Sequence, residues 1–544
     1  MRRLPISMFV LVVLLFLARL VSIAETNENA WNNVGSSNVV DNDDVADKVD
    51  SAVKVAQSGT GNGVVWGKSS KAVEPTTEDV ETSIEAKPPK KLIQTPTKAV
   101  DAVEAGNSVL PETVLNEKQK AKLAEGTYLL RSERKAGTTD LVETLLEVTG
   151  DVKQVGNDLK TTTDKMEVVA GFRYEERVEK FSAGSRGALV SVREYDLAKA
   201  KMKIGKEAKN PELDDNLRTI VCSLEDDKVA LFSPNGSLRG EQLLLIEDLP
   251  GNTLTLDRLL PNKEVRVGDT WKITDSVLRS FLSVDAVTES NVEAVLTAVA
   301  DNMAMVEIVG DVGGIYLGAA TEMSIRAKYQ FDISAKRINW LGLLIEENRS
   351  IGHVGPGLDL VARLQVKISP IAKPQKLTDD FMTDINVQPT DNLLTLKYDG
   401  GKGPWRFSHD RSWYVFQDEP TTTVLRKLRR GELVAQCNIA DMGKVDVKTM
   451  TTLPKFTKEL SDGLGKNFGK VVAANETENP FGYKEFRVII DGSVEDLDLR
   501  WMYSLLTDKD GQQAVIVFVV EAGMIEQFAD ADRMLIDTYR LGKR

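Results

Sequence analysis

From residue 323 to 333 the sequence alternates without a break. Met323, Ile325, Ala327, Tyr329, Phe331 and Ile333 are apolar, and Ser324, Arg326, Lys328, Gln330 and Asp332 stand between them. Successive side chains of an extended strand point to opposite faces, so such a run buries one face and wets the other. Val168, Ala170, Phe172 and Tyr174 repeat the pattern against Val169, Gly171, Arg173 and Glu175, as do Leu364, Val366 and Ile368 against Arg363, Gln365 and Lys367. Antiparallel sheets with one solvated face read this way. The spacing predicts a curved sheet or sandwich over 126–374, crossed by short helices at 240–248 and 275–282.

Beyond a Pro-containing, weakly periodic linker at 375–392, the pattern changes. Leu453, Phe456, Leu460, Leu464 and Phe468 fall at helical steps, and Ile525, Phe528, Ala531 and Leu535 make a second stripe. Strands are predicted at 485–490, 497–506 and 514–520, with Asp491-Gly492 and Asp510-Gly511 as hairpin turns. The fold class expected is therefore α+β: a β-rich antiparallel domain, then a smaller α+β domain at 393–544 with helices on one face of an antiparallel sheet.

The N-terminus supplies a different signal. Arg2 and Arg3 precede an apolar run over 8–17, and Ser22-Ile23-Ala24 follows. This is the three-part secretory pattern, so residues 1–24 are expected to be a cleaved signal peptide. The uncleaved alternative, an inner-membrane anchor, has an apolar stretch short for a bilayer and interrupted by Arg19. Residues 25–125 are acidic and poor in aromatics, and are expected to form a disordered spacer with short helical stretches near 116–124. The expected location is exported, periplasmic or extracellular, with no stable membrane insertion after cleavage.

Composition narrows the partners. The 544 residues are 42% hydrophobic and 28% charged, enough for globular cores. A net charge of -13 opposes nucleic-acid binding, which needs clustered Lys and Arg. The only two cysteines, Cys222 and Cys437, exclude a disulfide framework. Both lie in apolar strand-like runs and read as buried hydrophobes, with one inter-domain bridge as the alternative.

No catalytic constellation emerges, and no cofactor or metal site is assigned. Val65-Trp66-Gly67-Lys68-Ser69 has Asn62 where a phosphate loop needs its first Gly, and no strand precedes it. The Asp41 to Asp47 stretch lacks the Gly and late Glu of a calcium loop, and the turn explains Asp508-Lys509-Asp510-Gly511. With only His353 and His409, zinc ligation lacks close spacing. Gly184-Ser185-Arg186-Gly187 lacks the spacer residue of a nucleophile elbow, and His409 reads as a polar turn residue. Glu175-Glu176 and Glu346-Glu347 are adjacent pairs that point apart in strands. Glu175 with Glu347, brought to one face, could form a glycosidase-type pair. Trp271, Trp405 and Trp413 read as core anchors, with ligand stacking as the alternative.

Two resemblances follow. Leu259-Leu260-Pro261, Val265, Val267-Gly268-Asp269-Thr270-Trp271 and Leu358 resemble exported bacterial proteins of unknown function found in planctomycetes. Trp405-Arg406-Phe407, Trp413, the run from Leu433 to Ile439 and Asp537-Thr538-Tyr539-Arg540 resemble the PsbP/DcrB-like fold. The second resemblance implies a binding or scaffold module and transfers no site residue. The function expected is a non-enzymatic envelope protein that binds a ligand or protein partner. The alternatives are assembly through β-edges, or a carboxylate-dependent hydrolase.

Overall fold

The computed structural model describes residues 126–541, apart from short breaks at 156–160, 182–187, 226–227, 248, 400, 447–449 and 495–496. The signal, the spacer, the 65–69 and 41–47 motifs and Gly184-Ser185-Arg186-Gly187 lie outside the described residues.

The first body is a thirteen-stranded antiparallel sheet assembled from two meanders. A short ribbon, β1 (Tyr128–Leu129) with β8 (Glu264–Val265), stands apart from it. The first meander holds β2 (Thr139–Val155), β3 (Thr161–Phe181), β4 (Ala188–Ile204), β5 (Glu207–Lys209), β6 (Thr219–Glu225) and β7 (Lys228–Phe232). The second holds β9 (Thr270–Lys272), β10 (Ala286–Ser290), β11 (Glu293–Ala300), β12 (Met303–Tyr316), β13 (Ala319–Asp332), β14 (Arg337–Arg349) and β15 (Gly357–Pro370). They meet where β2 pairs with β15, from Asp140 opposite Pro370 to Lys153 opposite Gly357. The sheet is open, with β7 at one edge and β9 at the other.

Odd-even burial holds along β13, whose Met323, Ile325, Ala327, Tyr329 and Phe331 are buried while Glu322, Arg326 and Lys328 face the other way, towards solvent. The crossing between the meanders carries the helices Gly240–Glu247, Thr253–Leu256 and Asp275–Leu282. Their Leu243, Leu245, Ile246, Leu254, Leu256, Leu278, Phe281 and Leu282 join one continuous core with the inward residues of the sheet. The apolar face of the sheet is thus filled by its own helices.

Segment 375–392 is fastened to this sheet. Glu175 accepts the backbone N–H groups of Gln375, Lys376 and Leu377 at 3.0–3.1 Å. Leu377 is buried with Val192, Val221 and Phe232.

The second body has a three-stranded ribbon, β16 (Leu396–Tyr398), β17 (Trp405–His409) and β25 (Arg540–Leu541). Its main sheet has seven strands: β18 (Trp413–Asp418), β19 (Thr422–Arg429), β20 (Glu432–Lys444), β21 (Phe468–Glu478), β22 (Lys484–Val494), β23 (Leu497–Thr507) and β24 (Gln512–Glu521). The order is β18-β19-β20-β24-β23-β22-β21.

Two expectations need correction. Helices cover both faces of this sheet, not one. Phe456, Leu460 and Leu464 of helix Leu453–Leu464 pack with Val515, Val517 and Val519. Phe528, Leu535 and Ile536 of helices Ile525–Phe528 and Arg533–Thr538 pack with Ala514, Ile516, Phe518 and Val520, which point the other way. Also, Asp491-Gly492 is not a turn but lies inside β22, in an irregular pairing with Phe468 and Lys470. Asp510-Gly511 does turn, with Gly511 at φ 84°.

Candidate functional site

A cavity of about 540 Å³ lies where the two bodies meet. Its walls come from β7, helix Gly240–Glu247, the end of helix Asp275–Leu282, the β12–β13 turn, the chain from Leu394 to Asp399 and the β17–β18 turn. Apolar side chains dominate: Val229, Leu243, Leu244, Val284, Tyr316, Leu317, Leu396, Tyr398, Trp413, Tyr414 and Val415. Lys228, Arg239, Arg279, Lys397 and Arg411 are matched by Glu241, Glu247, Asp285, Asp399 and Asp418, so formal charge on the lining cancels.

Two hairpin tips and one arginine hold this junction. Arg411, on the β17–β18 turn, donates to the carbonyls of Leu394 at 2.9 Å and Leu231 at 2.6 Å, and to Glu247 at 3.2 Å. One side chain thereby ties β7, helix Gly240–Glu247 and the second body together. At the far wall, Asp285 accepts the Leu317 N–H at 2.7 Å. Beneath the cavity, Tyr398 stacks on Phe407 at 4.6 Å, and its hydroxyl meets Asp418 and Thr423.

Most polar groups of the lining residues are satisfied, but four atoms are not. The Trp413 Nε1–H, the Arg239 Nε–H, the Arg279 Nε–H and the Asp399 Oδ1 are buried among protein atoms without a hydrogen-bond partner among the described residues. Trp413 is 2% exposed.

Burial raises the Glu247 carboxyl above its ordinary value, and Arg411 beside it offsets only part of that rise. The folded chain therefore holds this proton more tightly than the unfolded one. The stability gained is full below the ordinary carboxylate range and is lost as pH rises through the raised folded value. Replacing Arg411 by Met removes the opposing charge. With Glu247 still 22% exposed, the expected cost at pH 7.5 is about 2 kcal/mol. Urea melts at pH 5 and 7.5 should show the variant losing more stability over that interval than the parent. Parallel pH profiles would show that Arg411 does not restrain Glu247.

The residues singled out in the sequence separate sharply. His409 and Trp413 both reach the cavity wall, and Trp405 lies just below, donating to Thr423 at 3.0 Å. Burial holds the His409 imidazole below its ordinary value, and its Nδ1 lies 2.9 Å from the backbone carbonyl of Asp410. The neighbouring Ser412 hydroxyl is spent on Asp410 and Lys427, so no serine–histidine relay forms there. His353 sits elsewhere, between β14 and β15, where its carbonyl accepts from Arg426 at 2.6 Å. Trp271 is a core anchor, donating to the Leu259 carbonyl at 3.2 Å. Cys222 and Cys437 are free and buried in different cores, so the bridge does not form; burial pushes the Cys222 thiol up to about 11.

The glycosidase-type carboxylate pair does not assemble. Glu175 lies opposite Leu141, which faces Ser369 of β15, whereas Glu347 faces Leu360. At about 3.3 Å per residue they stand roughly 30 Å apart along the strands. Glu347 is instead engaged by Thr321 and Arg349. Other carboxylates, Asp311, Glu322, Glu346 and Asp359, line an open groove of about 640 Å³ on the exposed face. They are wet, with Lys153 3.6 Å from Asp359.

A second polar cluster is sealed inside the first body. Glu176 accepts from Ser191 at 2.9 Å, Arg193 at 2.8 Å and Thr253 at 2.7 Å. Arg134 lies 3.5 Å from Glu176, 3.3 Å from Asp140 and 3.8 Å from Asp257, and Arg337 pairs with Asp140. Three arginines balance three acids, all of them buried. The cluster joins β2, β3, β4 and the crossing helices, which makes it a structural fastener.

No helix among the described residues is long and apolar enough to cross a membrane. The exposed face of the large sheet carries Lys201, Lys203, Glu322, Lys328, Arg363 and Lys367, where a lipid-facing strand needs an apolar band.

No family model matches the sequence, and no curated protein matches it. Among solved structures, a lipovitellin described for its lipid–protein interactions is 8% identical, covering 45% of this chain and 26% of its own, with a TM-score of 0.25. This chain thus spans about a quarter of that protein. An outer membrane channel from Pseudomonas putida F1 is 7% identical, covering 72% of this chain and 97% of its own, with a TM-score of 0.10. The outer membrane protein OprD from Pseudomonas aeruginosa is 8% identical over 73% and 97%, with a TM-score of 0.11. TM-scores this low carry no argument about fold or ligand.

Proposed function

We propose that the chain is a non-enzymatic, exported binding protein whose junction cavity takes a compact, uncharged, largely apolar molecule. The largely apolar lining, with Val229, Leu243, Leu244, Val284, Leu317 and Tyr398 on it, carries this reading. Cancelling charges on the lining disfavour an ionic ligand, because a net charge there would be desolvated without a counter-charge. The volume lies within the range of small-molecule sites. Export rests on the N-terminal pattern of Arg2, Arg3 and the apolar run over 8–17. The α+β second body and the envelope families it resembles belong to the same reading.

The neutral fluorophore N-phenyl-1-naphthylamine is a suitable probe. It should bind saturably at one site per chain and be displaced by small apolar molecules. Ala230→Trp, which fills the cavity, should abolish saturable binding. Unsaturable uptake, or uptake indifferent to Ala230→Trp, removes the site from consideration.

A further inference from the structure

The His409 ring reaches the cavity wall in a fixed pose. β17 alternates, so Trp405, Phe407 and His409 are buried on one side while Arg406 is exposed on the other. His409 stands opposite Leu396 of β16, and both residues line the cavity. Its ring tilts against Phe407 at 6.1 Å, and Phe407 is itself stacked on Tyr398. Aromatic packing thus sets the plane of the imidazole.

One hydrogen bond then sets its proton. Nδ1 lies 2.9 Å from the Asp410 carbonyl, and a carbonyl oxygen only accepts, so Nδ1 carries the hydrogen. Burial holds the ring below its ordinary pKa, against the opposing pull of that carbonyl and of the Asp410 carboxylate, which keeps the imidazole neutral at pH 7.5. A neutral imidazole protonated at Nδ1 presents a lone pair at Nε2. The nearby donors are spent elsewhere. Lys427 is held by Asp410 at 2.9 Å and by Ser412 at 2.6 Å, and the Tyr398 hydroxyl is turned to Asp418 and Thr423. Nε2 has no hydrogen-bond partner among the described residues, and unlike the Trp413 Nε1–H it is not sealed off by protein atoms. His409 is 4% exposed, and the space it meets is the cavity.

We infer that His409 Nε2 accepts a ligand hydroxyl, so that the molecules this cavity takes are neutral, apolar alcohols. The inference rests on the cavity being a binding site and adds a polar point of recognition to its apolar lining. A ketone of the same shape cannot serve, because its oxygen and Nε2 are both acceptors and both would be left dry.

Borneol and camphor test this, being one carbon cage with a hydroxyl in the first and a carbonyl in the second. Their Kd values are read from displacement of N-phenyl-1-naphthylamine, on the full chain and on His409→Phe. Comparing the camphor-to-borneol quotient between the two proteins cancels what each molecule gains by leaving water. The preference for borneol should be about fivefold greater in the parent than in the variant, the worth of one neutral hydrogen bond. Nitrogen NMR of the histidine-labelled parent gives a second reading that needs no variant, since His353 is the other histidine of the chain. Without ligand, His409 should show a protonated Nδ1 and a bare Nε2. Borneol should move the Nε2 resonance towards the protonated position, camphor should leave it in place, and His353 should respond to neither. Should His409→Phe fail to fold, these spectra decide. If N-phenyl-1-naphthylamine does not bind saturably, the cavity reading and this inference fall together. Saturable binding with a borneol preference that survives His409→Phe, or with Nε2 unmoved by borneol, overturns this inference alone, as does a ring protonated at Nε2.

Discussion

Replacing Glu176 by Gln should lower the unfolding free energy by about 3–5 kcal/mol, a large part of the ~5–15 kcal/mol that holds a domain of ordinary stability. The side chain is fully buried and keeps its shape in the variant. What changes is charge. Arg134, Arg193 and Arg337 would face only Asp140 and Asp257, leaving one cation uncompensated in a dry interior. Burial alone would raise the Glu176 carboxyl. Arg193 and Arg134 beside it, with the Thr253 hydroxyl, more than offset that and hold it below its ordinary value. A depressed carboxyl contributes stability that is present above the unfolded value and lost as pH falls through the folded one. The variant should therefore also lose part of the parent's acid-side decline. Glu147→Gln on the wet face is the control and should stay within about 0.5 kcal/mol. In a cycle with Arg193→Gln, the double variant should cost clearly less than the two singles added, because the pair is one unit. A Glu176→Gln loss under ~1 kcal/mol would mean that water reaches the cluster.

That cluster was invisible in the sequence, and the reason is physical. Arg134, Asp140, Glu176, Arg193, Asp257 and Arg337 look like any charged residues between apolar ones. Glu176 takes an ordinary inward position of β3, in step with Phe172, Tyr174 and Val178, while Glu175 points to the other face and is buried by Gln375, Lys376 and Leu377. By contrast, the large sheet was legible, since one wet face forces alternation and Met323 to Phe331 keep it. In the second body the run from Ala514 to Val520 is apolar without alternation, the mark of a strand dry on both sides. Reading that run correctly would have put helices on both faces. The Asp491-Gly492 reading failed because glycine serves two needs. A Cβ on Gly492 would collide with the Asn467 carbonyl, so this glycine permits close backbone approach rather than a positive φ. The junction cavity has no motif because its lining is drawn from Lys228 to Asp418. Only His409 and Trp413, flagged by residue type, pointed towards it.

The same two needs of glycine combine where the bodies touch, and there they set the second large effect. Leu317-Gly318 closes the β12–β13 hairpin between Tyr316 and Ala319, and Arg430-Gly431 closes the β19–β20 hairpin between Arg429 and Glu432. All four central residues have positive φ, at 45° and 79° in the first and 52° and 82° in the second, the mark of tight two-residue hairpin turns. The turns meet tip to tip. A Cβ on Gly318 would fall within the Gly431 carbonyl, and one on Gly431 would lie 2.8 Å from the Gly318 Cα. Gly318→Ala therefore suffers both a disfavoured φ and a backbone collision that no rotamer relieves. The expected loss is about 3 kcal/mol, of which ~1 kcal/mol is the φ term. Gly137→Ala isolates that term, because Gly137 has φ 84° and nothing within 4 Å of the point where an alanine methyl would stand. Leu317 also lines the cavity, so relieving the collision by parting the tips should open the cavity wall. Gly318→Ala should then weaken N-phenyl-1-naphthylamine binding about tenfold and speed hydrogen exchange at both tips, while Gly137→Ala leaves both unchanged. Equal losses for the two alanine variants, with binding intact, would mean that the tips do not touch in solution and that the cavity is held by Arg411 alone.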